Sequence, residues 1–199
     1  MKNLNKKGFT LIEMLVVLAI FSTFVIVAAD LFLTVNRVQR ETQVSERVLS
    51  ESRFILETIA RDVRAGRIDY KEFGNPADPE DAIVNPSDEI IYINSASERV
   101  RIKKNTNFCP SSESMPCVTI SRDNGGTWAS MTPLGVKVVD LKFIVQPDQD
   151  PFYFNGVNWL SDKQPMLTAI ITLGSTDEIS QKYFEVTTQT TISVRGYGR

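Results

Sequence analysis

The stretch KKGFTLIEMLVVLAIF, residues 6–21, decides how the rest of the chain is read. Two lysines and a glycine precede an apolar run in which the only charge from Phe9 to Ala29 is Glu13. Roughly 20 apolar residues suffice to cross a bilayer core of about 30 Å as a helix. The charges ahead of the run are Lys2, Lys6 and Lys7, with no acid among them. Basic residues stay on the cytoplasmic side, so the N-terminus is expected inside and everything after Asp30 outside. Without those lysines the 199-residue chain carries 19 basic against 24 acidic residues, which gives no basic surface for nucleic acid.

A secretory signal would end its apolar core at a small-residue cleavage site and be discarded. Here VAADLFLTV, residues 27–35, continues as apolar helix. Glu13 also fits a discarded signal poorly, since a carboxylate at the centre of a spanning helix costs about 2.5–3.5 kcal/mol on insertion scales. An acid inside a membrane is a functional hypothesis when a partner can be named. If the bond between Gly8 and Phe9 is cut, Phe9 gains a cationic α-amine about one helical turn from Glu13. That amine, or the same amine of a neighbouring subunit, is the partner.

KKGFTLIEMLVVLAI, residues 6–20, closely resembles the N-terminal motif of type IV prepilins and type II secretion pseudopilins. The resemblance implies a membrane peptidase that cuts after Gly8 and methylates the new amine of Phe9. It also implies that Glu13 sets assembly register. The resemblance carries over Gly8, Phe9 and Glu13 with no departure at any of them. More diffuse likenesses in ESRFILETIARDVRAG (51–66), GVKVVDLKFIV (135–145), MLTAIITLGS (166–175) and TTISVRGYG (190–198) resemble minor members, the PilW-like pilins and the J-type pseudopilins. J-type members join I- and K-type partners in a tip complex, and PilW-like ones prime pilus assembly. The retained Glu13 argues against a K-type role. The choice between pilus and secretion system stays open.

The helix is expected to continue past the membrane, because no proline or glycine occurs between Phe9 and Ala65. One helix over that range is about 85 Å long at 1.5 Å per residue. Val44, Val48, Ile55, Ile59 and Val63 form a stripe with Ser52 in the gap, while Arg47, Glu51, Arg61 and Asp62 lie off it. The stripe is read as packing on the chain's own sheet in preference to a surface for neighbouring subunits. Gly66 is the natural stop. The organisation expected is a leader at 1–8, a membrane-spanning half-helix at 9–30, an outer amphipathic half at 31–66, and a β-rich exported domain at 67–199.

Residues 67–88 read as a polar, proline-containing loop. Short strands are predicted at 89–94, 98–104, 116–121 and near 127–131. In VVDLKFIV (138–145) the inward set is Val139, Leu141, Phe143 and Val145, opposite Asp140 and Lys142. In MLTAIITLG (166–174) it is Leu167, Ala169, Ile171 and Leu173. The last strand, starting at Tyr183, alternates Phe184, Val186, Thr188, Thr190, Ile192 and Val194 against mostly polar residues. The fold class is α+β: a long N-terminal helix packed on an antiparallel β-sheet domain, pilin-like.

Cys109 and Cys117 bracket the short loop PSSESMP and are candidates for a disulfide outside the cytoplasm, with zinc ligation or two free thiols as alternatives. SRDNGGTW, residues 121–128, matches the Ser-x-Asp-x-Gly-x-Thr-Trp pattern of the Asp box frequent in sialidases, where it is a hairpin turn remote from catalysis. Ser121, Asp123, Gly125, Thr127 and Trp128 are therefore read as a structural turn, with a carbohydrate contact as the rival reading.

With no histidine, Ser-His and Cys-His nucleophiles and the common His-containing zinc sites are excluded. The pairs Glu80/Asp81 and Asp148/Asp150 lie in proline-containing loops and are read as solvated, without EF-hand spacing for calcium. No catalytic residue, cofactor or metal site is assigned, and the chain is expected not to be an enzyme. The reading is a minor pilin or pseudopilin whose partners are a prepilin peptidase, the membrane, a major subunit and I- and K-type-like minor subunits. A tip adhesin using the Asp-box hairpin or the aromatics of PFYFNGVNW (151–159) is the alternative.

Overall fold

A computed structural model describes residues 8–73, 81–109, 115–176 and 181–194. Residues 1–7 of the expected leader, Glu80 and residues 195–199 lie outside the described residues. The chain divides into two compact units, Met1–Thr42 and Gln43–Arg199. The first helix, α1 (Leu11–Ala65), runs through both.

Within the first unit, α1 is helical throughout and its apolar side chains are exposed, from Leu11 to Val38. It is long and apolar enough to cross a membrane. The two hydroxyls in mid-run are satisfied by the helix itself. Ser22 Oγ donates to the Leu18 carbonyl at 2.7 Å and Thr23 Oγ1 to that of Ala19 at 2.6 Å. A segment placed in hydrocarbon would have to close its hydrogen bonds internally, and these two hydroxyls do. Polar residues resume at Asp30, and Arg37 pairs with Glu41 one turn on at 3.4 Å.

In the second unit the outer part of α1 buries Val48, Ser52, Ile55, Leu56, Ile59 and Val63. These side chains join strand residues of the same unit in one hydrophobic cluster, so the helical stripe covers the chain's own sheets. Val44 sits half-buried at its margin and Leu56 widens it. The helix stops at Ala65. A side chain on Gly66 would collide with the Ile93 carbonyl, so the exit path requires glycine through close approach of two backbones.

The strands form two antiparallel sheets where the sequence suggested one. The first has the order β1 (Arg67–Ile68), β2 (Glu89–Ile93), β3 (Arg99–Asn105), β4 (Cys117–Ser121) and β5 (Ala129–Ser130). The second has β6 (Lys137–Gln146), β7 (Met166–Thr176) and β8 (Tyr183–Ser193). A single-turn helix, α2 (Tyr70–Phe73), follows β1. Neither β1 nor α2 was expected, because that stretch reads as loop.

The strands fall close to the expected ranges. The inward set of β7 is Leu167, Ala169, Ile171 and Leu173, all fully buried. In β6 the expected set needs one correction. The pairing slips between Val138 and Asp140, and this bulge turns Val139 outward, 37% exposed, while Val138 takes the buried place. An extra residue at a bulge shifts the alternation by one, and Leu141, Phe143 and Val145 resume it. β8 alternates as expected, but only Ile192 and Val194 are fully buried; Phe184, Val186, Thr188 and Thr190 are half-covered.

The sheets are joined at β6. Ser87 and Phe143 exchange backbone hydrogen bonds of 2.8 Å, and the Asn85 amide both donates to and accepts from Val145 at 2.9 Å. The Tyr92 hydroxyl donates to Asp62 of α1 at 3.3 Å, and Arg122 reaches the same carboxylate at 3.5 Å, tying helix to sheet. Burial, then Asp62, raises the Tyr92 pKa well above its ordinary value, so it stays a neutral donor.

Candidate functional site

The start of α1 is built by four residues. Gly8, Phe9 and Thr10 precede the helix in irregular structure. The Thr10 hydroxyl accepts from the Glu13 N–H at 3.3 Å, and the Glu13 carboxylate accepts from the Thr10 N–H at 3.4 Å. This reciprocal pair is a capping box: Thr10 is the N-cap and Glu13 the third helical residue. Its signature, Thr-x-x-Glu before an apolar run, is legible in the sequence, so Glu13 has a local partner besides the amine expected for it. In the isolated chain, then, Glu13 already has a use, closing the helix end. Acidic charge in a first turn also complements the helix dipole.

The cap leaves capacity for another contact. Both bonds are longer than the usual 2.9–3.0 Å, and the Glu13 side chain is exposed. A carboxylate accepts about four hydrogen bonds, and the cap takes one. Phe9 beside it is 77% exposed.

Gly8 is informative for a different reason. A side chain built on it would meet nothing within 4 Å, and its φ lies outside the left-handed region. Neither packing nor backbone geometry demands glycine there. A small residue in an open, irregular stretch beside an apolar helix is suited to entering another protein's cleft.

Cys109 and Cys117 are joined by a disulfide with Cα atoms 5.7 Å apart. It ties the chain beyond β3 to the first residue of β4 and closes the loop between adjacent strands. The Asp-box residues form the β4–β5 hairpin. Asp123 accepts from Thr127 Oγ1 at 2.6 Å, from the Thr127 N–H at 2.8 Å and from Ser121 Oγ at 2.7 Å. These bonds, those of Thr127 foremost, hold its carboxyl below the usual range. Ser121 Oγ also accepts from the Gly125 N–H at 2.8 Å, and Trp128 Nε1 donates to the Gly125 carbonyl at 3.1 Å. Asn124 and Gly125 take φ of 58° and 95°, the left-handed turn these residue types tolerate. Lys103 Nζ lies 4.4 Å from the Trp128 ring centroid. The box is spent on its own turn.

The acidic pairs differ from expectation in one member. Asp148 and Asp81 are exposed, but Asp150 is half-buried, accepts from the Phe152 N–H at 2.9 Å, and has its pKa raised by burial and by Asp69. Asp69 is held by Arg99 at 2.7 Å. Among the described residues no group of three or more His, Cys, Asp or Glu could hold a metal ion.

Residues 3–29 match the family model described as the prokaryotic N-terminal methylation motif. That range takes in Gly8, Phe9, the capping box and most of the apolar run. Searches of curated proteins and of solved structures found no match.

Proposed function

We propose that this chain, which carries the N-terminal signal of type IV prepilins and pseudopilins, is a minor pilin or pseudopilin. It is a structural subunit, cut between Gly8 and Phe9 by a prepilin peptidase and then assembled with other pilins into a pilus or pseudopilus. The observation that carries the reading is the methylation motif lying on a spanning-length exposed helix, capped by Thr10 and Glu13.

The proposed sequence of events follows from the residues. The helix inserts with its lysine-bearing end in the cytoplasm and residues beyond Asp30 outside, in the periplasm or beyond the cell. The leader, 1–8, is removed at the open Gly8 site. The freed amine of Phe9, methylated and cationic, is attracted to Glu13 of a neighbouring subunit, and the exposed apolar side chains of residues 9–30 pack against other helices. The outer half-helix, 31–66, carries the β-rich domain, 67–199, away from the membrane. The Cys109–Cys117 disulfide supports an oxidising compartment for that domain. Likeness to PilW-like and J-type members favours a minor subunit with I- and K-type-like partners and a major subunit.

A tip-adhesin reading has one observation in its favour. Phe154 and Trp159 form a tilted ring pair 5.3 Å apart with Val157 exposed between them, an aromatic tip suited to a surface ligand. Isolation of the tagged chain from membranes after crosslinking tests the assembly reading. Other pilin-type subunits should co-purify through the helix. Recovery of the chain alone, at an abundance where it is fully inserted, would overturn it.

A further inference from the structure

Cover over the three-stranded sheet ends unevenly. The outer edge of β6 is occupied along its length. Ser87 bridges Phe143, Asn85 caps Val145, Lys104 Nζ donates to the Val139 carbonyl at 3.0 Å, and the Val138 N–H donates to Pro116 at 2.8 Å. The outer edge of β8 has no such partner among the described residues, since β8 pairs only with β7. Natural sheets protect a bare edge with charges, proline, bulges or brevity. From Val186 to Ser193 this edge has no charge, no proline and no irregularity of register, and five of its eight residues are threonine or valine.

Beside this edge, on the inner face, lies an open trough of about 800 Å³ between β8 and α1. Its floor is apolar, with Leu56 and Ala60, and its β8 wall is Thr188 and Thr190. The Thr188 hydroxyl is buried and has no hydrogen-bond partner among the described residues. The helix wall is basic. Arg61 is paired with Glu57 at 3.7 Å, but Arg53 and Arg64 make no ion pair among the described residues. The chain's last residues, RGYGR, add two more arginines and so do not match this charge.

We propose that β8 and the arginine-lined trough bind an extended, acidic polypeptide segment by strand addition. Its backbone pairs with the free edge of β8, its inward side chains rest over Leu56 and Ala60, and its carboxylates face Arg53 and Arg64. Main-chain pairing supplies affinity and the trough supplies specificity. A buried hydroxyl and a long bare edge then find partners in the complex that they lack in the free subunit. This inference depends neither on processing at Gly8 nor on Glu13.

The test uses the full chain in detergent and two labelled ten-residue probes, one alternating glutamate with valine and the other lysine with valine, read by fluorescence anisotropy. The acidic probe should bind saturably and lose affinity as salt is raised. Arg53→Gln with Arg64→Gln should weaken it about tenfold while the melting temperature is kept, since both side chains are exposed. The same acidic probe N-methylated at alternate residues should also lose binding, which charge attraction alone would not cause. Equal binding of the lysine probe, full binding of the methylated probe, or no binding of the acidic probe would each overturn the proposal.

Discussion

Replacing Glu13 separates its two roles, because the cap and the proposed ion pair ask different things of the side chain. A capping box accepts either glutamate or glutamine at the third position, so Glu13→Gln keeps an acceptor for the Thr10 N–H. Caps contribute typically about 1 kcal/mol, and bonds of 3.3–3.4 Å place this one toward the lower end, near 0.5 kcal/mol. That is about a twofold effect. Leaving one partner of a desolvated ion pair uncompensated costs about 3–5 kcal/mol, a hundredfold or more. Both Glu13→Ala and Glu13→Gln should insert, because losing a charge favours the membrane. The assay is cysteine crosslinking to partner pilins at matched membrane abundance. Ala should lose most of the crosslinked product, and Gln should recover no more than the small share belonging to the cap. Thr10→Val, which removes the hydroxyl and spares the charge, should crosslink nearly as the parent does. Full recovery by Gln would refute charge pairing and leave the cap as the whole role of Glu13.

Three further outcomes concern the second unit, Gln43–Arg199. Cys117→Ser opens a loop with a sequence separation of 8, and the chain-entropy relation for that length gives a loss of about 2.5 kcal/mol, read as a lower denaturation midpoint; an unchanged midpoint would show that the bridge constrains little. Phe143→Ala removes a fully buried ring from the strand that joins both sheets and should cost about 3–5 kcal/mol in the same measurement. Asp123 has a depressed folded pKa, so its stabilisation is present above the ordinary carboxylate value of 3.8 and is lost as pH falls through the folded one. The stability gap between the parent and Asp123→Asn should accordingly be flat at neutral pH and shrink below about pH 4; a gap that widens on acidification would reverse the assignment.

What the sequence disclosed was local and periodic. The unbroken run from Phe9 to Ala65 and the stripe from Val48 to Val63 announce α1, because a 3.6-residue period survives whatever it packs against. The alternation in β7 announced its buried face for the same reason. Pairing did not show: alternation says which way a side chain points, not which strand lies beside it, and two sheets look the same as one. Val139 was misassigned because a bulge is a property of two strands in register. Asp150 was read as solvated because its burial comes from contacts remote in sequence, Asp69 among its electrical neighbours. The capping box is a different miss. Its signal is local and legible, but an acid in an apolar run suits a distant cation as well as the nearest backbone amide, and the residue pattern alone does not separate the two.

The mass of the mature chain tests cleavage after Gly8 most directly. In cells with an active prepilin peptidase, intact-mass analysis of the membrane-extracted protein should show residues 1–8 gone and one methyl group added at Phe9. Gly8→Val should be found inserted and unprocessed, since nothing lies within 4 Å of that site to make the larger residue misfold the helix start. A chain that still begins at Met1, in cells where other prepilins are cut, would contradict the account.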